Sequence, residues 1–101
     1  MFDKILEAQQ KAGEMKKRLD GITVTGAVEG GKITVTANAN KVVQSIVISD
    51  EFLREADKDE LEELLVTAVN KAMEQADNIN QSEMAAMTKN MFGDLGGMFG
   101  Q

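Results

Sequence analysis

Between Asp57 and Asn90 the chain has neither glycine nor proline, and this uninterrupted stretch is what most limits the folds open to it. Leu61, Leu64, Leu65, Ala68, Val69, Ala72, Met73, Ala76 and Ile79 recur at helical spacing and form a broad apolar stripe. Asp57-Lys58-Asp59-Glu60 opens the stretch with a D-x-x-E variant of the capping box, and its acids suit the positive end of a helix dipole. The pattern predicts a helix over 57–90, with helical character running on through Met84 and Met87 toward Met91. At 1.5 Å per residue such a helix is about 50 Å long.

The other predicted elements are much shorter. Met1, Ile5, Ala8, Ala12, Met15 and Leu19 alternate steps of four and three, the seam of a packed helix over 2–19, and Asp20-Gly21 supplies its stop. Two alternating runs follow, Ile22–Val28 and Ile33–Ala39, separated by Gly30-Gly31, a hairpin signal. A two-residue Gly-Gly turn pairs Glu29 with Lys32, Val28 with Ile33, Gly26 with Val35, Val24 with Ala37 and Ile22 with Ala39. That register sets apolar against apolar on one face. Asn38-Ala39-Asn40-Lys41 is a second turn, leading to a third strand over Val42–Ser49. This strand has aliphatics on both faces, Val42, Ile46 and Ile48 on one and Val43 and Val47 on the other. Its outer face is covered either by a loop or by another subunit.

A strand of seven residues spans only about 23 Å, so the second helix must overhang its own sheet. The overhang still carries Ile79, Met84, Met87 and Met91. Either the helix breaks near Asn78-Ile79-Asn80 and folds back, or a second copy of the chain covers it. The second is the simpler arrangement, because two-fold dimers are the commonest oligomers. The expected fold class is therefore α+β: helix, three-stranded antiparallel β-meander and long C-terminal helix, as a homodimer. With 101 residues the chain is one domain, assigned to 1–92. Residues 93–101, with four glycines and no periodicity, are expected to be a flexible Gly/Met/Phe tail.

Composition narrows the chemistry. The chain contains no His, Cys, Tyr, Trp or Pro, which removes the usual proton carrier at neutral pH, Ser–His and Cys–His nucleophiles and the common zinc ligands. No enzyme, cofactor or metal site is expected. The acidic stretch 50–63 lacks an EF-hand pattern and reads as a solvated helix start. No segment approaches a membrane span or resembles a signal peptide, so a cytoplasmic protein without a membrane partner is expected. The net charge of −6 runs against the basic balance of most nucleic-acid-binding domains. The acidity is nevertheless local: residues 50–63 hold eight acids and two cations, whereas residues 1–20 hold five cations and four acids.

Element order, together with several segments, resembles a known family. These are Met1-Phe2 with Glu7-Ala8-Gln9-Gln10-Lys11 and Met15-Lys16-Lys17, then Val24-Thr25-Gly26 before the Gly-Gly hairpin and Val35-Thr36-Ala37-Asn38. Val43-Gln44-Ser45-Ile46-Val47-Ile48, the stretch from Asp59 to Ala72 and the glycine-rich tail complete the set. In these the chain is similar to the YbaB/EbfC family of bacterial nucleoid-associated proteins, over essentially its whole length. The resemblance implies a tweezer-shaped α+β homodimer that binds duplex DNA with little sequence preference and influences nucleoid organisation or gene expression. It carries no catalytic residues, and the tail here lacks the proline often found in the family.

For such binding the candidate residues are Lys4, Lys11, Lys16, Lys17 and Arg18, which would neutralise phosphates. Lys4, Lys11 and Arg18 are spaced by heptads and line one stripe, with a drift of about 20° per heptad. Lys16 and Lys17 extend the cluster. The plainer alternative is a solvated helix face with Glu7–Lys11 and Glu14–Arg18 as routine i, i+4 pairs. The competing function is a dimeric protein-interaction adaptor without appreciable DNA affinity, presenting the acidic stretch or the tail to an unidentified protein.

Overall fold

The computed structural model describes the backbone of residues 2–98 and the side chains of residues 3–90. The elements in chain order are α1 (Phe2–Asp20), β1 (Thr23–Val28), a 3-10 turn (Glu29–Gly31), β2 (Ile33–Asn38), β3 (Val43–Ile48), α2 (Asp50–Glu55) and α3 (Lys58–Met98). Among the described residues the strands form one antiparallel sheet in the order β1-β2-β3. The α+β architecture expected from the sequence is the one observed.

The hairpin register agrees with the apolar alternation: Val28 stands opposite Ile33, Gly26 opposite Val35 and Val24 opposite Ala37. The Glu29–Lys32 pair does not extend the ladder. Instead Glu29, Gly30 and Gly31 all take positive φ, at 53°, 64° and 90°, and Lys32 N donates to Glu29 O at 3.3 Å. The second turn is built by Asn38, whose buried Oδ1 accepts from Asn40 N at 2.9 Å and Val42 N at 3.2 Å. A side chain that bonds its own backbone two residues on is the Asx-turn chemistry that makes asparagine a turn former.

One strand assignment needs correction. Strict alternation groups Val43 with Val47, but Val43 stands opposite Ala37 while Ser45 stands opposite Thr36. The register shift between Thr36 and Ala37 inserts Gln44 as an extra residue, a bulge that turns Val43 to the Ala37 side. Val43, Ile46 and Ile48 therefore share the face of Ala37, Val35 and Ile33.

Over β1 and β2 that face is covered by α3. Ala68, Ala72 and Ala76, at successive i, i+4 positions, are fully buried against Val24, Val28, Ile33, Val35 and Ala37, and Phe52 of α2 closes the same core. Leu61, Leu64, Leu65, Val69, Met73 and Ile79 pack around it, half-buried. Alanine in the central row lets the helix backbone come close to the sheet, and Gly26 answers it from β1. A Cβ at Gly26 would meet Ala68 O at 2.2 Å and Ala72 N at 2.5 Å. α2, absent from the sequence-based assignment, is a single capped segment in which Phe52 N donates to Ser49 Oγ at 3.1 Å.

The long helix has no break at 78–80, so the fold-back arrangement is excluded. It also passes the expected end near residue 91 and continues to Met98, through Gly93, Gly96 and Gly97. Each glycine costs about 1 kcal/mol relative to alanine, but extending a formed helix adds a hydrogen bond per residue and no new nucleus. Residues 99–101 of the assigned tail lie outside the described residues.

The first helix differs most from expectation. Among the described residues of its seam, only Leu19 is buried and Met15 half-buried, while Ile5 is 55% exposed and Ala8 and Ala12 are exposed. The described part of the chain does not cover that seam. α1 is anchored at its C-terminal end, where Ala39 N donates to Leu19 O at 3.2 Å, and otherwise projects. With α3 about 60 Å long at 1.5 Å per residue, the molecule measures 65 × 25 × 17 Å. Its radius of gyration is 19.4 Å, against about 13 Å for a compact domain of this size.

Candidate nucleic-acid interface

Lys4, Lys11, Lys16, Lys17 and Arg18 all lie on α1 and all are exposed. At about 100° per residue, Lys4, Lys11 and Arg18 run down one flank of the apolar seam. Lys16 falls on the other flank and Lys17 nearly opposite the seam. The five therefore surround the arm instead of forming a single patch, with Lys16, Lys17 and Arg18 concentrated at its root.

The arm and the overhang of α3 enclose a cleft of about 450 Å³. Lys11, Glu14, Met15 and Arg18 line it from α1, and Glu83, Ala86, Met87 and Asn90 from α3. Two of the expected cations, Lys11 and Arg18, thus meet in one cleft, while Lys4 is not among its lining residues. Met87 contributes to this cleft and Met84 is exposed; the side chain of Met91 lies outside the described set.

Arg18 does not pair with Glu14 as the i, i+4 spacing suggests. Its Nε lies 3.0 Å from Glu83 Oε2, and Nη2 donates to Glu83 Oε1 at 3.4 Å. Neither the Glu7–Lys11 nor the Glu14–Arg18 pair forms among the described residues, whose ion pairs are Arg18–Glu83, Lys41–Asp77 and Lys58–Glu62. A fixed residue 65 positions away wins over a helical neighbour because the planar guanidinium takes both carboxylate oxygens side-on.

Sequence reasoning missed Lys41. Its φ of +67° places it in the turn after β2, and Asn40 holds that turn against α1, donating from Nδ2 to Lys16 O at 2.9 Å and also to Asp20 Oδ1. Lys41 Nζ then reaches Asp77 Oδ1 at 2.9 Å. Asn80 Nδ2 donates to Ala39 O at 3.3 Å from the next turn of α3. Asp77, Asn80 and Glu83 together tie the root of α1 and its neighbouring turn to α3. The only hint in the sequence was the Asn-Ala-Asn-Lys turn, which says nothing about what the lysine faces.

A second cleft, of about 420 Å³, lies between β1 and α3 beside Thr25, Gly26, Ala27, Lys71 and Glu74. Lys71 Nζ reaches Ala27 O there at 3.4 Å and occupies an acceptor on the outer edge of β1. Among the described residues no helix is long and apolar enough to cross a membrane. No group of three His, Cys, Asp or Glu side chains is placed to hold a metal ion among them either.

A cation-bearing helical arm rooted on a small sheet-and-helix body places the chain in a class: α+β proteins with one helix standing clear of the core. Residues 1–91 match the model of the YbaB/EbfC DNA-binding family, and the chain belongs to that family. It is 37% identical over 98 residues to a nucleoid-associated protein of Flavobacterium johnsoniae, covering 97% of this chain and 91% of that one. A nucleoid-associated protein of Bacillus cereus is 36% identical over 94 residues, covering 92% of this chain and 78% of its own length. The fold is shared with the crystal structure of an uncharacterized protein of Helicobacter pylori at a TM-score of 0.74, with 17% identity over 86% of this chain and 92% of that one.

Proposed function

We propose that this chain is a nucleoid-associated protein that binds duplex DNA as a homodimer with little sequence preference, through Lys4, Lys11, Lys16, Lys17 and Arg18. The observation that carries the reading is the projecting α1, with all five cations exposed, in a member of a DNA-binding family. Cations spread around an arm suit contact with phosphates, which repeat along both strands, more than readout of one base edge. Nucleoid localisation follows from the same reading. In the test, labelled duplexes of unrelated sequence are titrated at several salt concentrations. Micromolar or tighter binding to all of them is expected, with a log–log salt slope of about −0.9 for each phosphate contacted. Absence of binding to any duplex at the lowest salt refutes the reading.

Dimerisation rests on what the described chain leaves open. α3 packs chiefly on β1 and β2, so β3 is an edge strand with little cover. Val42, Val43, Ile46 and Val47 are 53%, 41%, 47% and 61% exposed. Three exposed aliphatics in one edge strand, with Val42 directly before it, are a liability that proteins normally bury or charge. The opposite edge, by contrast, carries Lys71. The seam of the dimer is therefore placed on β3, with the uncovered α1 seam extending it. Sedimentation is expected to give the mass of two chains for the natural sequence and of one chain for Ile46→Glu, with helicity retained in both. A single-chain mass for the natural sequence at tens of micromolar would remove the dimer from the proposal.

A further inference from the structure

Two acids of α3 occupy the cations at the root of the arm. Glu83 engages Arg18 through both carboxylate oxygens, at 3.0 and 3.4 Å, and Asp77 holds Lys41 at 2.9 Å. The cationic side chains remain open to solvent, 68% exposed for Arg18 and 49% for Lys41. Lys16 and Lys17, adjoining Arg18 in sequence, have no acidic partner among the described residues. The strongest concentration of positive charge on the arm is thus partly neutralised from within the same chain.

Side-on engagement of a guanidinium by two oxygens is also the geometry in which arginine takes a phosphate. A phosphate approaching the root of α1 meets Arg18 already filled by a carboxylate of matching shape. Exposed pairs of this kind contribute little to stability and open easily. A paired cation adds little to counterion release until it exchanges partners, because its charge is already compensated.

We propose that Glu83 and Asp77 are built-in competitors for DNA phosphate at Arg18 and Lys41, and that Lys41 is a further phosphate-binding residue. The inference rests on the DNA-binding reading of α1. Binding at the root of the arm proceeds by exchange of carboxylate for phosphate, which keeps non-specific affinity low and makes it steeply sensitive to changes at two positions on α3.

Fluorescence anisotropy of a labelled duplex, at about 50 and 200 mM salt, tests the exchange on the full chain. Glu83→Gln is expected to tighten binding roughly three- to tenfold at the lower salt and to steepen the salt slope by about 0.9 per released cation. The gain should vanish in the Arg18→Gln background. Asp77→Asn tested with and without Lys41→Gln forms a second, independent cycle. Glu14→Gln removes the same charge from the same cleft without freeing a paired cation, and is expected to gain less. Circular dichroism and thermal midpoints close to the natural protein's verify that each variant is folded.

If the natural protein binds but Glu83→Gln gains nothing beyond Glu14→Gln, or keeps its gain without Arg18, the exchange is wrong while DNA binding stands. If neither the natural protein nor any variant binds at low salt, the DNA reading fails and the exchange fails with it.

Discussion

Replacing Gly26 by alanine is expected to destabilise the protein by about 3 kcal/mol or more, at the upper end of what overpacking a core costs. The added Cβ would lie 2.2 Å from Ala68 O and 2.5 Å from Ala72 N, both backbone atoms of α3. No side-chain rotation relieves such contacts. The helix must retreat from β1, and the row of Ala68, Ala72 and Ala76, fully buried against the sheet, opens with it. A domain of ordinary stability holds about 5–15 kcal/mol in total. At roughly 4–8 °C per kcal/mol for a chain of this size, the thermal midpoint should fall by more than about 12 °C. Gly13→Ala provides the contrast, since a Cβ there has nothing within 4 Å. It should stabilise α1 by up to about 1 kcal/mol through helix propensity. Both variants are compared at one fixed protein concentration, because dimerisation would make the midpoint depend on it. A Gly26→Ala midpoint equal to the natural one would mean that α3 does not sit on β1 as described.

Converting Lys4, Lys11, Lys16, Lys17 and Arg18 together to glutamine is expected to weaken duplex binding by about a hundredfold or more at 50 mM salt and to flatten the salt slope. In the proposed homodimer every removed charge would count twice. All five side chains are exposed, and glutamine has nearly the helix propensity of lysine and arginine, so α1 should remain formed. Loss of the Arg18–Glu83 pair removes only an exposed interaction of about 0–1 kcal/mol. Lys32→Gln with Lys71→Gln, away from the arm, should shift affinity far less. Full affinity and an unchanged slope in the five-fold variant would move the DNA contact off α1, whatever the family membership.

How much was legible differs between segments. The β1–β2 register followed from Gly30-Gly31 and apolar alternation alone, because pairing across a tight hairpin is a local matter. The helical stretch after Asp57 was equally plain, although its far end was set too early, since glycine weakens a helix without forbidding it. The bulge at Gln44 was hidden, because alternation counts residues and cannot show an extra one opposite Thr36 and Ala37. α2 was too short for any period to declare itself. For the candidate site, the cations were visible as residue types, but their partners were not. The i, i+4 rule offered Arg18 the nearby Glu14, whereas Glu83, 65 residues on, holds it.

The order of the longer elements, the apolar faces of β1, β2 and the long helix, and the cationic character of the first helix are properties of near neighbours along the chain, and the amino-acid sequence alone determined them. How closely Gly26 lets the long helix approach the sheet, and which acids meet Arg18 and Lys41, depend on residues tens of positions apart. Those were decided only when the chain closed on itself. Burial and ion pairing act through distance in space, which separation along the chain does not encode.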